Sequence, residues 1–573
     1  MIFKRNPINN KSVEIANQII SNHLYVHASW KPVPYSEPLD WTVDPYESIT
    51  WRYYLHSLDI VGYLVNAYEV TNDSKYIDKA KDLIQSWINN NPLPNGDIKS
   101  DSWGDHSTAN RVINFIQFLD SFKASTLYNK NFENYLLHSI EQHCDFLEDD
   151  KNYTFGNNHG IFQDKSLIEA SVLFPHLQNS EIWYKKAVTR LSDRLKRDIT
   201  ESGVHKEHSG AYHIVVMKLF YEIHHFLKTH NVDFQELSTI VYKMEGYLAR
   251  IVKPDRRIPM TGDSGADGIT FLKNYKISNP ELKFIYTNGE QGKKPVDESV
   301  YQDAGVAVFR NDLHCSIYIM FMAAFHSLTH KHADDLSFVL SVDSTDFFVD
   351  SGKYTYNEKE KYRKYFRSSH AHNVVVVNRK TYELKNTQIA KSKIANSHIS
   401  NEISYVTGIH ELYPGVKVYR TLLFLKRTNT ILIYDEVKSQ AIRTYTQVFN
   451  IGKDVNVNPI NKKNIVLTSL VDNRKIELLQ INPVTEFKNY KGNTNPIFGW
   501  QSSKFNEKYP ISQLQFSNKS DNIEYKTVIN VDIENGVKNF KVERRDSAIT
   551  FTIIHKNNQR EVINIPNKKV TTT

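Results

Sequence analysis

Between residues 11 and 285 apolar side chains recur every three or four positions, the spacing that gathers them on one face of a helix. Leu58, Val61, Val65 and Tyr68 form one such face, and Ile77, Ala80, Ile84 and Trp87 the next. Thr71-Asn72-Asp73-Ser74 supplies a break and a cap between them, and Pro92 and Pro94 end the second stripe. Further stripes run through Val112, Phe115, Ile116 and Leu119, and through Leu136, Ile140 and Leu147. Three more follow at Val188, Leu191 and Leu195, at Val216, Leu219, Phe220 and Ile223, and at Leu237, Val241, Met244 and Leu248. Amphipathic helices joined by short polar loops pack as antiparallel hairpins, so this half predicts a curved or toroidal α/α array.

After Pro280 and Pro295 the pattern changes to period two with β-branched runs. Val306–Phe309, Cys315–Phe321, Val418–Leu425, Thr430–Tyr434 and Ile549–Ile554 read as strands separated by turn residues. Many short strands with almost no helical stripes predict an antiparallel β-sandwich. The expected division is a helical domain over 1–290 and a sandwich over 291–573, with a disordered tail from Lys568 to Thr573.

The length of 573 residues requires more than one core, and 40% hydrophobic residues supply it. A net charge of +7 favours a polyanionic partner, and no nucleic-acid-reading signature accompanies it. Two cysteines, Cys144 and Cys315, imply no disulfide framework. The first ten residues lack an apolar signal region and no apolar run reaches membrane length, so the chain as written reads as soluble and cytoplasmic, or as periplasmic or secreted if a signal was trimmed. There is no phosphate-binding GxxxxGK[ST] loop, HExxH, CxxC or GxSxG, which sets aside nucleotide, zincin and α/β-hydrolase chemistry.

The chemistry collects in a few clusters. His330-Lys-His332-Ala-Asp334 precedes an apolar strand, and a strand starting at the histidines would send His330, His332 and Asp334 to one face. Asp350 follows Phe347-Phe-Val at the end of a second strand able to form a hairpin with the first, and His370-Ala-His372-Asn373 enters a third. A buried face holding several imidazoles and a carboxylate is costly unless they bind something, so His332, Asp350 and His372 predict a metal or catalytic site. In the helical half, Asn157-Asn158-His159-Gly160 and Glu207-His208-Ser-Gly-Ala-Tyr212 stand at loop-to-helix junctions. His106 and Arg111 lie about a turn and a half apart, and Pro259-Met-Thr-Gly262-Asp263-Ser264 reads as a rigid turn with a functional or capping aspartate.

Taken in order, these motifs, with Asp303-Ala-Gly305-Val-Ala-Val-Phe-Arg310, Val349-Asp-Ser-Gly-Lys-Tyr-Thr-Tyr356 and Ser369-His-Ala-His-Asn373, resemble the heparinase II/III-like polysaccharide lyases over residues 50 to 380. The resemblance implies an incomplete (α/α) toroid followed by an antiparallel β-sandwich. It also implies β-elimination on a uronate-containing acidic polysaccharide, heparin/heparan-like, hyaluronan or chondroitin, or a similar bacterial polymer. Asn158 and His159 match the pair that neutralises the substrate carboxylate. Tyr212 matches the catalytic tyrosine, able to act as base if positive neighbours lower its pKa from about 10, and as acid when neutral. His330 matches the sandwich's acid or base partner. His332, Asp350 and His372 match ligands of a metal expected to be zinc with a structural role, and no organic cofactor is implied. His106, Arg111, His208, Arg363 and Arg367 are the expected substrate contacts. Two other readings stand beside this one: a glycoside hydrolase using Asp105, Glu207 and Asp263, and a noncatalytic glycan-binding protein on the same scaffold.

Overall fold

Polar breaks decide where the helices start. Ser48 accepts a hydrogen bond from the Trp51 amide at 3.2 Å to open the helix Ile49–His56, and Asn129 accepts from the Phe132 amide at 3.1 Å to open Lys130–Glu148. The computed structural model describes the chain apart from residues 1, 5, 7, 9, 95–100, 157, 273, 274, 546, 547 and 567–573. Asn157 of the Asn-Asn-His-Gly motif and the tail from Lys568 to Thr573 therefore lie outside the described residues. Two compact units are present, Met1–Arg197 with Val216–Thr239, and Asp198–Val215 with Ile240–Thr573.

The first unit is helical. Its helices include Asp59–Thr71, Lys75–Asn90, Asp105–Lys123, Lys130–Glu148 and His159–Leu173. Val61, Val65, Ile77, Ala80, Ile84 and Trp87 are fully buried, as the stripes require. Asn72, in the left-handed region at φ +55°, ends Asp59–Thr71, and Asp73 accepts from the Lys75 amide at 3.1 Å to start the next helix. No described helix is long and apolar enough to cross a membrane.

The second unit carries two large antiparallel sheets. One has eight strands running from Val455–Asn461 at one edge to Ser392–Ile399 at the other. The other contains Val306–Asn311, Ile317–Met322, Phe338–Val342, Thr345–Phe348, Arg443–Ile451 and Ser512–Ser520, with Val375–Val377 pairing Arg443–Ile451. Phe321, Leu340 and Phe449 of one sheet share a buried core with Leu422, Phe424 and Ile433 of the other, which makes the pair a sandwich. A three-stranded sheet, Val537–Arg545 to Arg560–Pro566, follows; its middle strand Ala548–His555 alternates half-buried and buried residues, as period two demands.

Asn373 ties the segments that carry the candidate metal ligands. Its side chain donates to the carbonyls of Phe338 at 2.7 Å and Val349 at 3.1 Å, and accepts from the Asn450 amide at 2.7 Å. Three chain segments thus meet on one buried amide, beside His372 in sequence.

Candidate active site and metal site

Asp263 is the centre of the polar cluster in the second unit. It follows Gly262, which has φ +54°; a Cβ there would come within 2.5 Å of the His208 carbonyl and 3.0 Å of the His330 carbonyl. Asp263 Oδ2 accepts from His330 Nδ1 at 2.9 Å, and Oδ1 accepts from His332 Nε2 at 2.9 Å. Arg363 donates to both oxygens, Nη2 to Oδ2 at 3.0 Å and Nη1 to Oδ1. Burial would raise this carboxyl, but the bonds from His330 and His332 and the Arg363 guanidinium hold it far below the usual carboxylate range.

His330 adopts φ +55°, and Leu336 φ +66°, so the segment carrying the histidines is a loop and the strand begins only at Phe338. This corrects the expected strand face: His330 and His332 reach Asp263, whereas Asp334 turns to Lys331. The expected hairpin from Phe338–Val342 to Thr345–Phe348 is present. Tyr212 stands in the first turn of the helix Gly210–Thr229, where Ser209 and Ser264 hydroxyls lie 2.9 Å apart and Ser264 accepts from the Ala211 amide at 3.2 Å. The Tyr212 ring stacks on that of His330, centroids 3.5 Å apart and 17° between planes. Its hydroxyl lies 2.9 Å from that of Tyr356. Burial raises the Tyr212 pKa; the Tyr356 hydrogen bond opposes this, while the Asp263 and Glu207 carboxylates add to it. The expected lowering by positive charge is therefore corrected, because the charges nearest this phenol include two carboxylates and the Arg363 charge is already matched by Asp263.

His332, Asp350 and His372 are all buried, and one potential ligand atom from each lies within 4.8 Å of the others. His372 Nδ1 faces Asp350 Oδ2 at 2.8 Å, and the Gly352 amide donates to Asp350 Oδ1 at 3.0 Å. Gly352, at φ +71°, has the Ser502 carbonyl 2.5 Å from where a Cβ would sit. His332 Nδ1 and His372 Nε2 are buried without a hydrogen-bond partner. Two orphaned imidazole nitrogens beside a carboxylate are a donor set for a divalent cation such as zinc, and Asp263 on the far side of His332 orients that ring as an outer carboxylate would. His370 is outside the group: its Nε2 lies 3.2 Å from the Arg379 carbonyl.

Lys331, between the two histidines, is 2% exposed and pairs with Asp334 and, at 3.0 Å, with Asp335. Tyr382 donates to Asp335 at 2.6 Å. Lys331→Met would leave both carboxylates buried without a counter-charge and is expected to destabilise the protein by about 3–5 kcal/mol in denaturant unfolding. A loss under about 1 kcal/mol would show that the loop is held by other contacts.

In the first unit, Asp105 opens the helix Asp105–Lys123 and His159 opens His159–Leu173. His159 Nδ1 lies 3.2 Å from Asp105 Oδ2, which also accepts from the Thr154 hydroxyl. Burial would raise the Asp105 carboxyl, yet His159 and Thr154 hold it at about 2. Asn158, the residue before that helix, makes no capping hydrogen bond with its side chain. The rings of His106 and His159 are 4.5 Å apart, and His106 Nε2 lies 3.2 Å from the Tyr53 hydroxyl.

Three of the expected substrate contacts are corrected. Arg111 has no exposed surface; it donates to His143 Nε2 at 2.8 Å and lies 3.8 Å from the Trp87 ring centre. Five residues of helix turn Arg111 about 140° away from His106, toward the core. Arg363, 3% exposed, is committed to Asp263 and Glu358. His208 Nε2 accepts from the His326 amide at 3.1 Å and the Ser327 amide at 3.3 Å, which makes it a brace for that loop. Arg367, pairing with Glu358 at 2.9 Å, keeps partial exposure. The hydrolase reading loses the pair Glu207 and Asp263 of the second unit, since Asp263 is 1% exposed and saturated with donors. Sequence reasoning gave no role to Asp105 as partner of His159 or to Tyr356; the acidic neighbour of His106 and the second tyrosine of the Val349–Tyr356 motif were the available signals.

The family pattern described as Heparinase II/III N-terminus matches residues 2–284, and Heparinase II/III-like, C-terminal, matches 293–543. The chain is 23% identical to the heparin-sulfate lyase of Pedobacter heparinus, covering 83% of this chain and 74% of that one. It is 27% identical to the heparin-sulfate lyase of Bacteroides thetaiotaomicron, covering 72% of this chain and 62% of the relative. Among solved structures, a heparinase III with methylated lysines matches at TM-score 0.83 and 21% identity, covering 99% of this chain and 92% of the other. The fold is an incomplete (α/α) toroid followed by an antiparallel β-sandwich.

Proposed function

This chain belongs to the heparinase II/III family of polysaccharide lyases, and on that premise we propose that it cleaves a heparan-type, uronate-containing polysaccharide by β-elimination. The observation that carries the reading is the Tyr212 ring stacked on His330, with His330 Nδ1 on Asp263. In such a reaction the C5 proton leaves, the C4–O4 bond breaks, a C4=C5 double bond forms and the departing O4 takes a proton. Burial and two carboxylates keep Tyr212 a neutral phenol, which suits it to protonate O4. His330 gives its Nδ1 proton to the bond with Asp263, and its Nε2, 3.6 Å from the Glu207 carboxylate, is in the neutral ring the proposed base for C5. Stacking puts the two groups in adjacent planes, so base and acid are held without rearrangement.

Removal of a proton beside a carboxylate requires that charge to be neutralised. Asn158 and His159 are the proposed donors, an assignment supported by the sequence; Asp105 holds His159 through Nδ1, so the donor His159 offers a carboxylate is Nε2–H of the imidazolium. His106 and Arg367 remain proposed substrate contacts. The substrate class is supported by the two heparin-sulfate lyase relatives.

His332, Asp350 and His372 are the proposed zinc ligands. A bound ion would supply a fixed positive cross-link between the three segments. Purified protein is expected to contain about one equivalent of zinc, and His372→Ala to lose it and melt at a lower temperature. Metal-free protein of unchanged activity and melting temperature would remove the metal assignment.

The test of the function is ultraviolet absorbance during incubation with heparosan, heparan sulfate, hyaluronan, chondroitin, alginate and glucuronan. A rise marks the 4,5-unsaturated uronate and names the polymer. Reducing ends without absorbance would mean hydrolysis and would overturn the reading.

A further inference from the structure

Next to Tyr212, three side chains of the second unit form a surface to which the elimination chemistry gives no part. Tyr356, hydroxyl to hydroxyl with Tyr212 at 2.9 Å, is 41% exposed. The ring of Phe505 lies 5.7 Å from that of Tyr356 at an angle of 34° and is 51% exposed. Lys353 Nζ donates to the Tyr356 hydroxyl at 3.2 Å.

Two features separate this group from an ordinary surface. First, Lys353 is half-buried, and among the described residues no carboxylate stands at ion-pair distance from its ammonium. Lys253 and Lys331, which are buried more deeply, each hold two carboxylates. Burial lowers the Lys353 pKa, with Asp263 and Asp267 opposing from farther away. A desolvated ammonium lacking an anion is costly, and a ligand that brings one recovers that cost.

Second, the turn bearing Phe505 is firmly tethered. It joins the strands Trp500–Lys504 and Glu507–Pro510. The Asn506 amide donates to the Tyr354 carbonyl at 2.7 Å and the Ser502 amide to the Ser351 carbonyl at 2.9 Å. Lys508 Nζ lies 4.3 Å from the Tyr362 ring centre and 4.6 Å from that of Tyr354. An apolar ring is therefore presented to solvent at a fixed place beside the reaction centre.

We propose that Lys353, Tyr356 and Phe505 form a saccharide subsite, in which an anionic pyranose of the polymer lays its C–H face on the two rings and sets a carboxylate or sulfate on the Lys353 ammonium. The C–H bonds of a pyranose face carry partial positive charge and meet the negative face of an aromatic ring. The subsite rests on the reading of Tyr212 and His330 as the reaction centre.

The test is titration calorimetry on full-length Tyr212→Phe protein, which retains both rings and binds without turnover. The probes are a heparosan hexasaccharide, which carries carboxylates alone, and an N-sulfated heparan hexasaccharide. Lys353→Met is expected to weaken binding about tenfold and Phe505→Ala about three- to tenfold, with melting temperatures unchanged. A Lys353 effect on both probes assigns the ammonium to a carboxylate; an effect confined to the sulfated probe assigns it to a sulfate. Dissociation constants unchanged by both substitutions, or no binding of either hexasaccharide by the parent, overturn the subsite. Absorbance with the wild-type protein separates the two claims. A rise with binding indifferent to Lys353 and Phe505 defeats the subsite alone, and no rise with binding dependent on them defeats the elimination reading alone.

Discussion

Tyr212→Phe is expected to lower kcat by about 10²- to 10⁴-fold, the range for loss of a positioned acid or base, with little change in melting temperature. The phenyl ring keeps the stack on His330, and the only described hydrogen bond of the lost hydroxyl is to Tyr356. The deficit can therefore be ascribed to the proton. Because the Tyr212 pKa is raised above its ordinary value, the acid form persists through neutral and mildly alkaline pH. The alkaline limb due to this group should fall above about pH 10. Retention of most activity by Tyr212→Phe would remove Tyr212 from the chemistry, and a limb near neutrality that disappears in this variant would show the phenol ionising in the working enzyme.

Asp263→Asn is expected to act on two properties together. The carboxylate fixes the Nδ1–H tautomer of His330 and the Nε2–H tautomer of His332, whose other nitrogen is buried without a hydrogen-bond partner and is free to serve as the proposed metal ligand. An amide presents one acceptor oxygen and an NH2 group with two donors, so it cannot accept from both rings and both Arg363 nitrogens. Metal affinity should fall about 10- to 100-fold, the usual cost of losing an outer partner of a ligating histidine, and kcat should fall with KM little changed. Arg363 would also be left buried beside a neutral group, so thermal stability will drop; metal affinity by chelator competition is the readout that a purely structural role would not move selectively. A variant that binds metal and turns over like the wild type once folded would show that Asp263 only closes the turn.

Tyr212 and His330 were legible because each sits in a motif of fixed order, and Asp350 because a strand run ends in Asp-Ser-Gly. Asp263 was legible as a functional or capping aspartate of a turn and as a carboxylate for the hydrolase alternative, but not as the partner of His330, His332 and Arg363. Its partners lie 67, 69 and 100 positions away, and no local pattern encodes such distances. Arg111 misled because periodicity yields an angle about the helix axis and says nothing of depth; the Arg111 face meets Trp87 and His143 in the core. The loop at His330 misled because apolar alternation implied a strand, while left-handed backbone at a non-glycine residue leaves no mark in composition.

The sequence by itself determined the order of elements, the change from helical to strand periodicity, the family and the residue types available for chemistry. Those follow from near-neighbour spacing, which sets which side of an element faces the core. Tertiary structure alone decided which charges were already spent. It put Arg363 on Asp263, joined both histidines of the His330–His332 loop to that one carboxylate, left two imidazole nitrogens without hydrogen-bond partners, and gave the Lys353 ammonium a phenol hydroxyl but, among the described residues, no carboxylate. Partnering of this kind depends on distances of a few ångströms between segments remote in sequence, and desolvation then fixes which of those groups stay charged and which can still receive a ligand.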